Sequence, residues 1–428
     1  MFKLILVIYN IILPLAFVFF LPGLVWKLIF RPGWKCTFSE RFGIFSRQRK
    51  AELAEGEGGI WFHAVSVGES VVALSLIWRL LEERPGTRVI LSTTTTTGQE
   101  LARRQAPEGV IVVFSPIDFY WTVRRFYKFL RVDTLVIFET EIWPNMIAQA
   151  ANFDVATALI NARMSDHSSR GYRRFRFFFG PLLAKFGIIA AQSAADAERF
   201  GFVSPAANVK AVGNMKFDQH VPGDLEGVDY SAYFATNASI VIGASTHPGE
   251  EALLIDVHKE LRERFPALRL VIAPRHAERG NEIATLLKNN GLSFARRSKE
   301  PASSEPVEVL LADTTGELVR LMKSADVVIM GKSFAGQDEG HNLIEPALLA
   351  RPIVCGKLLR NFRFVLNALQ EENAVIAVED SGLTAILTGL LEDPVFRRDL
   401  GLRAQAAIAR HAGAVTAVLA LIPQNNRE

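Results

Sequence analysis

Short apolar runs rich in Val, Ile and Leu alternate with longer stretches of helical spacing along nearly the whole chain. In the first half the runs fall at 60–65, 88–93, 110–114, 134–139, 155–160, 188–192 and 209–212. In the second half they fall at 240–244, 268–273, 307–311, 327–330, 352–355 and 374–378. A brief apolar run bounded by turn residues reads as a strand buried on both faces, and its alternation with helices predicts parallel sheets with helical crossovers. Periodicity lapses between Phe217 and Tyr233, around Pro222, Gly223, Asp224 and Gly227, which reads as a connection between domains. A single large domain would need an unusually long structureless loop there. The expected architecture is therefore α/β, with two doubly wound domains at 31–217 and 236–410, a linker at 218–235, a cleft between the domains, and a C-terminal helix and tail at 411–428. In such sheets ligands collect beyond the carboxyl ends of the strands.

The first thirty residues break the pattern. Leu4 to Trp26 carry no charge, which is long enough to cross a hydrocarbon core as a helix, although Pro14, Pro22 and Gly23 weaken a straight span. Residues 1–30 read as a membrane anchor, either a single-pass span or a helix lying in the interface. Lys27, Arg31, Lys35, Arg41, Arg47, Arg49 and Lys50 follow it, which puts the remainder on the cytoplasmic face.

Composition narrows the function. Across 428 residues, 49% hydrophobic and 22% charged residues mark a globular chain, and a net charge of +3 gives no global field for nucleic acid. The two cysteines, Cys36 and Cys355, are too far apart in sequence for metal-ligand spacing, and Cys355 sits in an apolar strand, so it reads as core. There is no His-Glu-x-x-His and no Asp-x-Asp pair, so no metal is expected.

Chemistry collects at the strand ends. His63-Ala64-Val65-Ser66-Val67-Gly68-Glu69 turns from a strand into a helix and sets a carboxylate at a helix N-terminus, where the dipole favours its ionised form. Glu69 reads either as a general base or as a helix cap. Glu139 and Glu141 follow the strand at 134–139, and Lys216 precedes the linker; Glu141 as a cap and Lys216 paired with Asp218 are the plain alternatives. In the second half, Pro274-Arg275-His276 ends a strand, and an arginine there can clamp a phosphate or carboxylate. Thr314 and Glu317 have capping-box spacing around Thr315 and Gly316, and a capped N-terminus after a strand is also an anion site. Gly331-Lys332-Ser333 followed by Gly340-His341-Asn342 suits a nucleotide, with backbone groups on the phosphate and Glu345 on sugar hydroxyls; His341 could equally be structural. The block Tyr172-Arg173-Arg174-Phe175-Arg176-Phe177-Phe178-Phe179 reads as a lipid-headgroup surface or as a helix packing its rings inward.

HAVSVGE (63–69), FETEIWPN (138–145), NARMS (161–165), AAQS (190–193), GNMKFD (213–218), STHPGEE (245–251), APRHAER (273–279) and GHNLIEPA (340–347) together resemble the Kdo transferase family, the 3-deoxy-D-manno-octulosonic acid transferases of lipopolysaccharide assembly. The resemblance implies the GT-B architecture, two Rossmann-like domains with an N-terminal membrane-anchor helix. It implies Glu69 as catalytic base, with Glu139 and Lys216 stabilising the transition state. It implies contacts to the CMP moiety from Pro274 and Arg275, from Thr315, Gly316 and Glu317, and from Asn342, Leu343, Ile344 and Glu345. The implied reaction is inverting and metal-independent, uses no cofactor, and moves Kdo from CMP-Kdo to lipid IVA at the cytoplasmic face of the inner membrane. Its partners are donor, acceptor and membrane lipid, with no nucleic acid. Two departures stand out: Gly331-Lys332 and Glu339-Gly340 replace the usual glycine pairs, and Leu343 replaces a proline. The rival readings are another GT-B enzyme, such as a nucleotide-sugar epimerase or a different membrane-side glycosyltransferase, and a non-catalytic carbohydrate-binding protein.

Overall fold

The computed structural model describes residues 1–30, 39–219, 221, 225–299 and 306–423, without the side chains of 20–30. Pro222, Gly223 and Asp224 of the expected linker, together with Arg31, Lys35 and Cys36, lie outside the described residues. The chain divides into two compact units, Met1–Asp218 with Ala412–Glu428, and Gln219–His411.

The first unit is built on seven parallel strands: β1 (Ile60–Ala64), β2 (Val89–Thr93), β3 (Ile111–Phe114), β4 (Thr134–Phe138), β5 (Ala156–Ala162), β6 (Ile188–Ala191) and β7 (Val209–Ala211). Their order is β3-β2-β1-β4-β5-β6-β7, so the winding reverses between β1 and β4. Ile60 to His63 lie in register with Thr134 to Ile137 across that switch point. The central strands are buried on both faces, as parallel strands under helices must be. Trp61, Ile90, Leu135 and Ile137 join Phe126, Leu130 and Met146 in one apolar layer. Phe62, Leu91, Val136 and Phe138 join Leu76, Ile77 and Leu80 of the helix Val67–Glu83 in the other.

Two elements attach themselves to this sheet. The helix Phe2–Phe30 runs unbroken through Pro14, Pro22 and Gly23, contrary to the interruption that their presence suggests. Contacts on both sides of Pro14 hold it in line. The Tyr9 hydroxyl donates to Asp118 Oδ2 at 2.9 Å, and the Asn10 and Asn145 amides exchange hydrogen bonds of 3.0 and 2.7 Å. Beyond the proline, Phe17 meets Phe119 edge-on at 5.3 Å. The helix Ala414–Leu421, within the stretch expected as a C-terminal helix and tail, packs Val415, Val418 and Leu419 into the second apolar layer of this unit. Its first free N–H groups, on Gly413 and Val415, donate to the two carboxylate oxygens of Asp218.

The second unit repeats the plan with β8 (Ser239–Thr246), β9 (Leu268–Pro274), β10 (Phe294–Arg296), β11 (Val309–Leu311), β12 (Val327–Met330), β13 (Ile353–Cys355) and β14 (Ile376–Ala377). All are parallel, in the order β10-β11-β9-β8-β12-β13-β14, and the switch point lies between β8 and β12. Every strand expected from the apolar runs is present, usually a residue or two shorter, and β10 is an addition. Cys355 is a free, buried thiol in β13.

Asp218→Ala should orphan two N–H groups of the C-terminal helix. The expected cost is about 1–2 kcal/mol, read as a lower denaturant midpoint of the first unit. An unchanged midpoint would contradict the role given to Asp218.

Candidate active site

Glu69 stands at the carboxyl end of β1, in the first turn of the helix Val67–Glu83. Ser66 is the N-cap and receives the Glu69 N–H. In return the Glu69 carboxylate accepts the Val65 N–H at 2.7 Å and the Ser66 hydroxyl at 2.9 Å. Glu69 is therefore a helix cap, as the plain alternative held, and this does not remove it as a base. An ionised carboxylate has about four lone-pair sites, and the cap uses two of them while locking the side chain in place. The helix dipole, expected to favour the ionised form of Glu69, is not the dominant influence on it. Burial raises its pKa, Glu139 adds to the rise, and the two hydrogen bonds and Lys216 offset only part. A raised pKa makes the carboxylate a stronger base.

Glu139 ends β4, the neighbour of β1 across the switch point. Its φ of 53° lies in the left-handed region, where a side chain with a Cβ costs roughly 1–2 kcal/mol. The Glu139 N–H donates to the Ile160 carbonyl at 3.0 Å, and Glu139 Oε1 pairs with Lys216 Nζ at 3.0 Å. Lys216 thus meets Glu139 rather than pairing with Asp218, whose oxygens serve the C-terminal helix. Glu141 accepts the Trp143 Nε1–H at 3.0 Å, and burial followed by the charge of Glu69 pushes its carboxyl up to about 7.

The motifs that carried no role in the sequence turn out to hold Lys216 in place. Asn161, fully buried and at φ 50°, accepts the Met215 N–H at 3.1 Å through its side chain. Gln192 donates to the Asn161 backbone carbonyl at 2.9 Å and accepts from the Asn214 side chain, whose Oδ1 takes the Lys216 N–H at 3.0 Å. Asn161, Gln192 and Asn214 come from β5, the end of β6 and the turn after β7, and fix the short 3-10 turn Met215–Asp218.

In the second unit, Pro274 is buried at the end of β9, and Arg275 is exposed; its guanidinium makes no ion pair among the described residues. Thr315 and Gly316 are exposed in the loop after β11, and Gly316 has φ 90°. Glu317 does not form the expected capping box. The helix Leu318–Lys323 starts after it without a side-chain cap, and Thr314 Oγ1 donates to Glu317 at 2.6 Å. Arg297 also holds Glu317, at 2.9 Å, while Arg296 grips Asp313 at 2.6 Å. Both arginines belong to β10 or the residue after it, so the strand that sequence reading missed is the one that fastens this loop.

The turn Gly331-Lys332-Ser333 also differs from expectation. Its backbone N–H groups are not open to a phosphate: those of Lys332, Ser333 and Phe334 donate to the buried Glu250 carboxylate at 2.8–2.9 Å, as does that of His247. A Cβ at Gly331 would lie 2.4 Å from the Ser245 carbonyl oxygen, so only glycine fits there. The departures at Lys332 and Glu339 are ion-paired with each other at 2.5 Å. Asn342 donates to Gln219 and Glu345 and caps the Ile344 N–H. Leu343 and Ile344 are wholly buried. Glu345 is half-buried and its pKa is raised by burial, against Asn342 and Arg275. Among the described residues no three His, Cys, Asp or Glu side chains group as a metal would need.

Two doubly wound units, each a parallel sheet with a switch point at its centre, are the GT-B fold. A glycosyltransferase from Rickettsia africae shares the fold, with a TM-score of 0.56 over 86% of this chain and 98% of that one at 10% identity. The profile of the family described as 3-Deoxy-D-manno-octulosonic-acid transferase (kdotransferase) matches residues 37–219. The 3-deoxy-D-manno-octulosonic acid transferase of Bordetella pertussis is 32% identical over 92% of this chain and 94% of its own, and that of Haemophilus influenzae 29% over 91% and 92%. The chain belongs to the Kdo transferase family and is an enzyme, a glycosyltransferase of that family.

Turnover should fall on the acid side as Glu69 takes up a proton. Lys216→Met removes a cation that holds the Glu69 pKa down, so the acid limb of kcat/KM should move to higher pH. Glu139→Gln removes an anion that pushes it up, so that limb should move to lower pH. Shifts of the same sign in both variants would contradict Glu69 as the titrating group.

Proposed function

We propose that this enzyme transfers Kdo from CMP-Kdo to lipid IVA, the lipid A precursor of lipopolysaccharide assembly, with inversion and without a metal ion. What carries the reading is the Glu69, Glu139 and Lys216 set at the switch point of the first unit, taken with family membership. Glu69 removes the proton from the acceptor sugar hydroxyl. The freed oxygen attacks the anomeric carbon of Kdo as the bond from that carbon to the CMP phosphate oxygen breaks. The electron pair leaves on the phosphate, and the configuration inverts. Lys216, held by Glu139, stabilises the charge that develops at the reacting centre. On the second unit, Arg275 and the loops 315–317 and 342–345 take the CMP moiety. Arg275 faces the phosphate, Glu345 accepts ribose hydroxyls, and Pro274, Leu343 and Ile344 contribute by shaping the loops that carry them.

We place the enzyme on the cytoplasmic face of the inner membrane, with the helix Phe2–Phe30 lying along the interface rather than across it. One side of that helix is committed to Asp118, Asn145 and Phe119 through Tyr9, Asn10 and Phe17. The other exposes Leu4, Ile8, Ile11, Leu15 and Val18, a single apolar stripe at helical spacing. A helix held sideways against a folded unit offers lipid one face only, which is the geometry of an interfacial anchor. Phe175 and Phe177 are exposed beside Arg173, Arg174 and Arg176, whereas Phe178 stacks on Phe2 and Tyr172 and Phe179 pack toward the core, so the inward-packing reading holds for part of the block only. The outward rings and arginines suit a phosphate-bearing lipid acceptor.

Purified enzyme with CMP-Kdo, lipid IVA and EDTA should add the mass of one or more Kdo residues to the acceptor; an unchanged acceptor, with divalent metal restored as well, would overturn the reading. Ile11→Lys with Leu15→Lys should release the protein from vesicles of anionic phospholipid while leaving transfer to detergent-dispersed acceptor largely intact. Retention on vesicles would contradict the interfacial anchor.

A further inference from the structure

Two histidines at the carboxyl edge of the second sheet have no part in the account so far. His247 follows β8, and His341 precedes the helix Ile344–Leu348. Their Nε2 atoms lie 3.0 Å apart, and their rings stack with centroids 5.2 Å apart and planes inclined by 26°. At that separation one Nε2–H donates and the other nitrogen accepts. Two imidazoliums would repel, so the pair can carry at most one added proton comfortably.

The groups around the pair are mainly cationic. Lys332, at the end of β12, lies beside both rings and is itself bridged to Glu339. Arg275, after β9, lies near His341. His276 stands edge-on to His247 at 6.0 Å. Arg279 is nearby but committed to Glu251 and Glu282, and Glu250 is occupied with backbone N–H groups, including that of His247. Burial first, then these cations, keeps both rings below the usual histidine range, His341 at about 4, so the pair is neutral at neutral pH. A neutral histidine bridge thus stands beside an arginine and a lysine that is shared with Glu339. A dianion set there would offset the cations and favour the imidazolium.

We propose that His247, His341 and Lys332, with Arg275, form a phosphate-binding group, and that a nucleotide phosphate entering it is bound together with one proton shared by the histidine pair. This rests on the donor assignment proposed above and deepens it, since it names the groups that meet the phosphate and the form in which they do so. The linkage has a definite sign. The free pair is unprotonated and the occupied pair protonated, so affinity weakens as pH rises through the pKa of the occupied pair. The loss approaches about tenfold per pH unit. Above pH 7 the phosphate of CMP, a monoester whose second pKa is about 6, is already a dianion and adds little slope of its own, while the diester phosphate of CMP-Kdo is a monoanion with no second proton to lose.

The test is titration calorimetry of the full-length enzyme with CMP, cytidine and inorganic phosphate at pH 7.0, in buffers of different ionisation enthalpy. CMP should bind with uptake of roughly half a proton or more, inorganic phosphate with a smaller net uptake because it is partly monoanionic at this pH and gives up a proton on binding as the dianion, and cytidine with none. His341→Gln should abolish the uptake and weaken CMP binding. Lys332→Met should weaken binding at least several-fold while keeping the uptake, which a merely misfolded variant would not do. CMP binding by the wild type without proton uptake, or the same uptake with cytidine, would overturn the proposal. Uptake with phosphate but no binding of CMP would remove the cytidine reading and support the phosphate group. Binding of neither ligand would overturn both.

Discussion

The first unit depends on how negative charge is housed beside β1 and β4. Glu69, Glu139 and Glu141 all stand at this edge, partly or largely out of water. Like charges at such a place push each other's pKa values up, and burial pushes them further. The fold answers each carboxylate differently. Glu69 is held by a backbone N–H and a hydroxyl, Glu139 by Lys216, and Glu141 by an indole N–H. The outcome is an ion pair at Glu139, a capped carboxyl of raised pKa at Glu69, and a carboxyl pushed up to about 7 at Glu141. Separation of pKa values among neighbouring carboxylates is what lets one site hold a proton and accept another.

Both units handle the loops at their switch points by the same physical device, a buried carboxylate that gathers backbone donors. In the first, Glu69 ties the start of its helix to Val65 and Ser66. In the second, Glu250 gathers the N–H groups of His247, Lys332, Ser333 and Phe334, joining the ends of β8 and β12. Charge-assisted bonds of this kind contribute about 1.5–3 kcal/mol each, enough to hold Lys332, like Glu139, in left-handed backbone. The difference is functional. Glu69 keeps unused lone pairs, whereas Glu250 is saturated by four N–H donors.

Much of this was legible in the sequence, and the reasons are specific. Parallel strands buried on both faces read as unbroken apolar runs, so the sheets could be placed from Val, Ile and Leu alone. β10 escaped because Phe294-Ala295-Arg296 is short, lies at an edge and is only partly buried. Glu69, Glu139 and Lys216 could be named, but their distances are set by Asn161, Gln192 and Asn214, polar residues whose partners come from separate strands. The Gly331 turn was misjudged because its amides face Glu250, which is 81 residues earlier in the chain. The Glu-Glu pair after His247-Pro248-Gly249 was the available signal. The role of the C-terminal helix was hidden because its capping carboxylate, Asp218, lies far away in sequence.

The measurement that bears most directly on the central claim is the single-turnover rate of Glu69→Gln beside its affinity for CMP. Glutamine keeps the size of the side chain and a hydrogen-bonding end for the cap, but it cannot take a proton. The account predicts a rate lowered by about 10²–10⁴-fold with CMP affinity unchanged. A near-normal rate, or equal losses in rate and CMP binding, would contradict Glu69 as the base that activates the acceptor.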